Sequence, residues 1–157
     1  MSALYDRDIL LWSEQQADLL RRLSRGERVN DSLDWPNLID EVESVGRNEF
    51  QAVESLLRVA LLHLLLARYA RVEPPRGHWL AEALGALDEA SRRYAPSMAQ
   101  RLDLPRAWRL ACRQAEAKLA SDGGPSAPLP AECPYTLTDL IEPDTQPAPL
   151  LARLPLG

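Results

Sequence analysis

Histidine is the first side chain to consider for catalysis in this sequence, because it can gain or lose a proton near neutral pH. His63 lies within an apolar run from Leu56 to Ala67. An acidic partner on the same helix is out of reach, since Glu41 precedes His63 by 22 residues, or about 33 Å of helix. We therefore favour a core histidine held by a backbone carbonyl or a hydroxyl group, and keep a catalytic role as the alternative.

Polar residues that interrupt apolar helix faces are the second feature that could carry chemistry. Gln16 interrupts the apolar stripe of the first predicted helix, and Glu41 and Glu49 flank or interrupt that of the second. If these helices form an antiparallel hairpin that turns near residue 30, Gln16 lies opposite Ser44, with Glu41 within about one turn. We favour a structural polar network here. The alternatives are a small pocket formed with His63, or an exposed surface for a partner.

Three arginines form a row that could bind an anion. Arg106, Arg109 and Arg113 share one helix face, and guanidinium groups are good phosphate ligands. No aromatic side chains alternate with them, and the net charge of −5 argues against a nucleic-acid binder. A solvated face, or pairing with the acidic residues Asp40 and Glu43, is the simpler interpretation.

The sequence predicts neither a metal site nor a cofactor. Its two histidines and two cysteines are scattered, and Glu-x-x-His pairs and phosphate-binding glycine loops are absent. No nucleophile, base and orienting residue follow a recognisable order. An enzyme is therefore the less favoured class.

The element that must position these residues is the α-helix. Leucine and alanine dominate, and phenylalanine occurs once, at Phe50, which favours helix packing over a sheet. We predict an all-α fold: a helical bundle of about four long helices with a short C-terminal helical turn and a proline-rich tail. The first helix is predicted from a cap at Asp6 to Arg25. The inner arc assigned to it consists of Tyr5, Ile9, Trp12, Leu19, Leu20 and Leu23.

The second helix is predicted to run from Asp34-Trp35-Pro36 to about Tyr69. Gly46 invites a break, but the polar and apolar arcs keep their phase across it, so we predict one continuous helix. The polar arc contains Asp40, Glu43, Arg47, Glu54 and Arg58. The apolar arc, taken as the inner one, contains Leu38, Val42, Val45, Val53, Leu56 and Ala60.

Prolines and glycines mark the remaining boundaries. They predict a loop at Glu73–Gly77 and a third helix that ends before Pro96. A fourth helix is expected from about Ser97 to Ala120, with a kink or a fresh start at Pro105, and Ser121–Ala131 is a linker.

The C-terminal part combines one capping signal with many prolines. Thr136 to Asp139 resembles a capping box that opens a short helical turn. We predict one helical domain over residues 1–141 and a loosely held tail over residues 142–157. The tryptophans on inner arcs are expected to anchor one core: Trp12, Trp79 and Trp108.

Several ordered segments resemble the bacterial domain-of-unknown-function family 29. They are Tyr5–Trp12, Asn37–Arg47, Leu57–Leu65 and Cys133–Leu137, and together they span the chain to about residue 144. The resemblance implies an all-helical domain and carries no assigned activity.

The sequence also bears on location and function class. Met1 is followed by an acidic helical pattern rather than a signal peptide, and Cys112 and Cys133 stand alone. We expect a cytoplasmic protein without a membrane segment. With no catalytic set assembled, we favour a small interaction or assembly module that binds itself or another protein. The alternative is an enzyme or ligand binder using the inner polar residues Gln16, Glu41 and Glu49.

Overall fold

The computed structural model describes residues 3–71 and 76–156, which form helices and no strand. The predicted all-α class is confirmed, and four of the helices are long. The helices are α1 (Ala3–Arg7), α2 (Ile9–Ser24), α3 (Trp35–Tyr69), α4 (Arg76–Arg93), α5 (Leu104–Leu119), α6 (Leu137–Ile141) and α7 (Pro147–Ala152). The predicted loop at Glu73–Gly77 falls largely outside the described residues, and its last residue already belongs to α4.

Helix α3 is continuous through Gly46, as the phase of its two arcs predicts. A Cβ atom added at Gly46 would meet no heavy atom within 4 Å. No close contact therefore requires a glycine at this position, and the helix continues through it because the residues on both sides are helical.

Two helices begin later than predicted because aspartates cap them. The Asp8 carboxylate, rather than that of Asp6, accepts a hydrogen bond from the Leu11 N–H at 3.0 Å and starts α2. Asp103 accepts from the Arg106 N–H at 3.0 Å and starts α5, so Pro105 marks a fresh start. Proline is tolerated in this first turn because the N–H it lacks would have no helical partner there.

The chain divides into two compact units, residues 1–48 and 49–157, with the boundary inside α3. This grouping differs from the predicted domain and tail. The first unit buries few side chains: Trp12, Gln16, Val29 and Leu33. The connection between α2 and α3 packs back on α2 through a short 3-10 turn.

The second unit has an extensive apolar core that includes the C-terminal tail. Leu150 and Leu154 are buried, and the Tyr69 hydroxyl donates to the Pro155 carbonyl at 2.6 Å. The expectation of a loosely held tail was therefore wrong. Pro147 starts α7, Leu150 of this helix is buried in the core, and so is Leu154, two residues after the helix ends.

The three tryptophans do not anchor a single core. Trp12 is buried in the first unit and Trp108 in the second, whereas Trp79 is half-buried against the core of the second. The capping box at Thr136 is confirmed: its hydroxyl accepts from the Asp139 N–H, and the Asp139 carboxylate accepts from the Thr136 N–H.

Helix α3 is long and apolar enough to cross a membrane, by length and composition alone. Its most apolar stretch is instead the centre of the second unit, since Leu61, Leu64 and Leu65 are fully buried among protein atoms. This stretch of α3 is therefore the core helix of the second unit.

Candidate functional site

Polar side chains of α1 and α2 contact the start of α3 and the residue before it, and we name this set the hairpin seam: Tyr5, Trp12, Gln16, Asp34 and Glu41. The Gln16 side-chain oxygen accepts from the Asp34 N–H at 2.8 Å, immediately before α3. Gln16 is buried, with 7% of its surface exposed, and a buried polar atom needs a hydrogen-bond partner. The Asp34 N–H is that partner for the Gln16 oxygen.

Asp34 is the central acceptor of the hairpin seam. Its Oδ2 accepts from the Trp12 indole N–H at 3.0 Å and from the Asn37 amide at 2.8 Å. The Asn37 hydrogen bond, with help from Trp12, holds the pKa of the Asp34 carboxyl below its ordinary value. Helix α2, through Trp12, and helix α3, through Asn37, therefore both hydrogen-bond to the Asp34 carboxylate.

Glu41 closes the other end of the hairpin seam. Its Oε1 accepts from the Tyr5 hydroxyl at 2.5 Å, and the Tyr5 ring packs edge-on against Trp12 at 4.8 Å between centroids. The hydrogen bond to Glu41 raises the pKa of Tyr5 to about 12. The predicted register, with Gln16 opposite Ser44, was wrong because the connection folds back along α2 and brings Asp34 to Gln16.

The apolar side of α3 in this unit is exposed, and we name it the α3 apolar face: Trp35, Ile39, Val42 and Val45. Steps of four, three and three residues place these side chains on one side of the helix. Ile39 is 56% exposed, Val42 73% and Val45 66%. Val42 and Val45 were predicted to point inward, and this was wrong, because Glu41, beside Val42, takes the position that contacts Tyr5.

Exposed apolar side chains are concentrated in the first unit. Ten large apolar residues among the described ones are exposed, and eight of them precede residue 49. They include Ile9 and Leu20, which were also predicted to point inward. The first unit thus exposes eight large apolar side chains and buries three, Trp12, Val29 and Leu33. Exposed apolar side chains that lie next to one another are typical of an interaction site.

Charged residues lie on the arc of α3 opposite Val42 and Val45, and Glu43, four residues after Ile39, lies at the edge of the α3 apolar face. Arg47 pairs with Asp40 at 3.4 Å and with Glu43 at 3.6 Å on the same helix. Residues 31–48 contain five acidic side chains and one arginine, a net charge of −4. The surroundings of the face are therefore acidic.

The predicted polar residues of the second unit have separate partners. Glu49 pairs with Arg93 at 3.1 Å. The half-buried His63 places its Nδ1 2.8 Å from the Val59 carbonyl oxygen, and no carboxylate among the described residues is hydrogen-bonded to it. These two side chains therefore form no shared pocket of the kind considered with Gln16 and Glu41.

The predicted arginine row is exposed and lies along two different surfaces. Arg106 lines a groove with Arg58, whereas Arg109 and Arg113 line a shallower surface beside Trp108. None of the ion pairs within residues 3–71 and 76–156 involves the three arginines of the row. Over the same ranges, no group of three or more His, Cys, Asp or Glu is arranged to hold a metal ion.

Sequence reasoning missed Trp35 and Ile39 as surface residues. A signal was present, because Trp35, Ile39 and Val42 follow the steps of four and three that define a helix face. The sequence pattern does not state which face is covered by protein. That assignment required the contacts of the hairpin seam.

Comparison with family models identifies a family, and the comparisons name no activity. Residues 4–145 match the model of "Domain of unknown function DUF29". A crystal structure described as an alpha-helical protein of unknown function, from Rhodospirillum rubrum, is 30% identical, covers 98% of both chains and has a TM-score of 0.73. No curated protein matches the chain. The chain belongs to the DUF29 family.

Proposed function

We propose that this protein is an interaction module whose α3 apolar face binds an amphipathic helix of another protein. The observation that carries the proposal is that the first unit has polar contacts between its elements and apolar side chains at its surface. Glu41 of α3 accepts from Tyr5, and Asp34, immediately before α3, accepts from Trp12. Val42 and its apolar neighbours on α3 are exposed. Covering a Val or Ile side chain contributes about 1.5–3 kcal/mol, so this surface favours a partner.

The spacing and size of the face suit one helix as the occupant. Anchor positions three or four residues apart are typical of helix recognition. Residues 35–45 extend over about 15 Å of helix, which is short compared with the faces of stable dimers. A docked helix of three or four turns would cover this length.

Charge favours a partner with lysines or arginines beside its apolar stripe. Two copies of this face would bring two acidic surroundings together, which repel each other. A basic amphipathic helix would instead be attracted by the net negative charge of residues 31–48. We further propose that the module works in the cytoplasm, where its two free cysteines remain reduced.

A pair of synthetic peptides tests this proposal. Both carry leucines at helix-face spacing, one with flanking lysines and the other with flanking glutamates. We expect fluorescence anisotropy to show binding of the lysine peptide by the intact protein, weakening as salt is added, and little binding of the glutamate peptide. Val42→Glu should abolish binding. Leu84→Glu, at an exposed leucine of α4 in the second unit, is the matched control and should bind normally.

Two results would contradict the proposal. Equal binding by the Val42→Glu and Leu84→Glu variants would place the peptide elsewhere. A concentration-dependent dimer in light scattering that Val42→Glu dissociates would make a second copy the occupant. Circular dichroism of both variants must match the wild type, so that loss of folding is not mistaken for loss of binding.

A further inference from the structure

A groove in the second unit lies between residues 51–58 of α3 and the segment from Leu102 to Leu110, which includes the start of α5. Its volume is about 270 Å³. Leucine and alanine side chains form its apolar part: Leu57, Leu102, Leu104, Ala107 and Leu110. An apolar cleft with a few polar groups is the usual form of a small-molecule site.

The charged side chains of this groove are not paired with one another. Glu54 and Arg58 are four residues apart on α3, a spacing that favours an ion pair. Arg58 instead donates from Nη1 to the Gln114 amide oxygen at 2.8 Å. No ion pair among the described residues involves Glu54, Arg58 or Arg106. Three charges therefore border one apolar cleft without neutralising partners.

Asp103 also lines the groove, and one of its two carboxylate oxygens has a backbone partner. It accepts from the Arg106 N–H and caps α5. The charged groups of the lining are therefore two guanidinium groups and two carboxylates, of which Glu54 is the one without a hydrogen bond among the described residues. This combination matches a ligand that carries one anionic and one cationic group together with an apolar body.

We infer that the groove binds a small apolar amino acid. The ligand carboxylate would meet Arg58 and Arg106, the ammonium group would meet Glu54, and the side chain would cover Leu57 and Leu110. This inference is independent of the proposed helix partner, because the groove and the α3 apolar face belong to different units.

Leucine and two truncated analogues test the inference by isothermal titration calorimetry on the full chain. 4-Methylpentanoate lacks the ammonium group, and 3-methylbutylamine lacks the carboxylate. We expect leucine to bind, and each analogue to bind about ten- to hundredfold more weakly, as loss of a charge-assisted hydrogen bond predicts.

Charge-removing variants locate the site. Arg106→Gln and Glu54→Gln should each weaken leucine binding by about ten- to hundredfold. Arg109→Gln is the matched control, since Arg109 is an exposed arginine on the same helix that lies outside the groove, and it should bind leucine normally. A melting temperature close to that of the wild type confirms that each variant is folded.

Three outcomes would overturn the inference. If leucine does not bind, the groove is not a site for small apolar amino acids. Equal binding of leucine and 4-methylpentanoate reduces the site to a carboxylate site and refutes the role of Glu54. Equal weakening by Arg106→Gln and Arg109→Gln shows a general charge effect instead of a site.

Discussion

Leu154 lies in the proline-rich C-terminal tail, and its side chain has no exposed surface. Replacing it with alanine removes most of this buried side chain. The hydrogen bonds near it use main-chain acceptors: the Arg68 Nε–H donates to the Leu154 carbonyl at 2.9 Å, and Tyr69 donates to that of Pro155. Alanine keeps both carbonyls. The substitution therefore isolates the contribution of side-chain burial.

The expected loss follows from burial and cavity formation. A fully buried Leu→Ala substitution costs about 2–5 kcal/mol. At about 3 kcal/mol, and with 2–4 °C per kcal/mol for a chain of this size, the midpoint of thermal unfolding should fall by about 6–12 °C. Circular dichroism during heating measures this midpoint.

Leu156→Ala is the matched control, because Leu156 lies two residues further along and is 57% exposed. Its unfolding midpoint should stay close to that of the wild type, since an exposed substitution changes stability by less than about 0.5 kcal/mol. If Leu154→Ala and Leu156→Ala melt at the same temperature, the tail does not belong to the core and the reasoning from burial is refuted.

Three further predictions concern the first unit. Gly46→Ala should be neutral or stabilise by up to about 1 kcal/mol in thermal unfolding, because the new methyl group meets open space; a clear loss of stability would contradict a continuous helix there. Tyr5 should titrate near pH 12, seen as the difference in near-ultraviolet absorbance between the wild type and Tyr5→Phe, and the stability that it contributes should be present below pH 10 and lost as pH rises through the folded value. Asp34, whose pKa is lowered, should contribute stability above its unfolded value that is lost as pH falls through the folded one; acid unfolding of Asp34→Asn at the wild-type pH would show that the carboxylate has no such role.

Local features of this protein could be predicted from sequence because they depend on neighbouring residues. The capping box at Thr136 needs only Asp139, three residues later. The continuity of α3 through Gly46 follows from the phase of side chains on one helix. Helix starts were less accurate, since Asp6 and Asp8 are both suitable caps and only backbone geometry selects between them.

The candidate site was less accessible to sequence reasoning, because it depends on contacts between distant residues. Gln16 was recognised as an inner polar residue, but its partner Asp34 depends on how the connection folds back along α2. The groove depends on the approach of α3 to the start of α5, where Arg58 donates to Gln114 and Glu54 has no ion pair within the described residues. Neither choice is visible in the spacing of residues along one helix.

Sequence alone therefore determined that the chain is helical, where its long helices run and which residues share a face. Tertiary structure decided which face is covered. Val42 and Leu61 both lie on α3, yet Val42 is 73% exposed and Leu61 is fully buried. The periodicity of an α-helix determines which side chains share a face, but a face is buried only where another part of the protein packs against it.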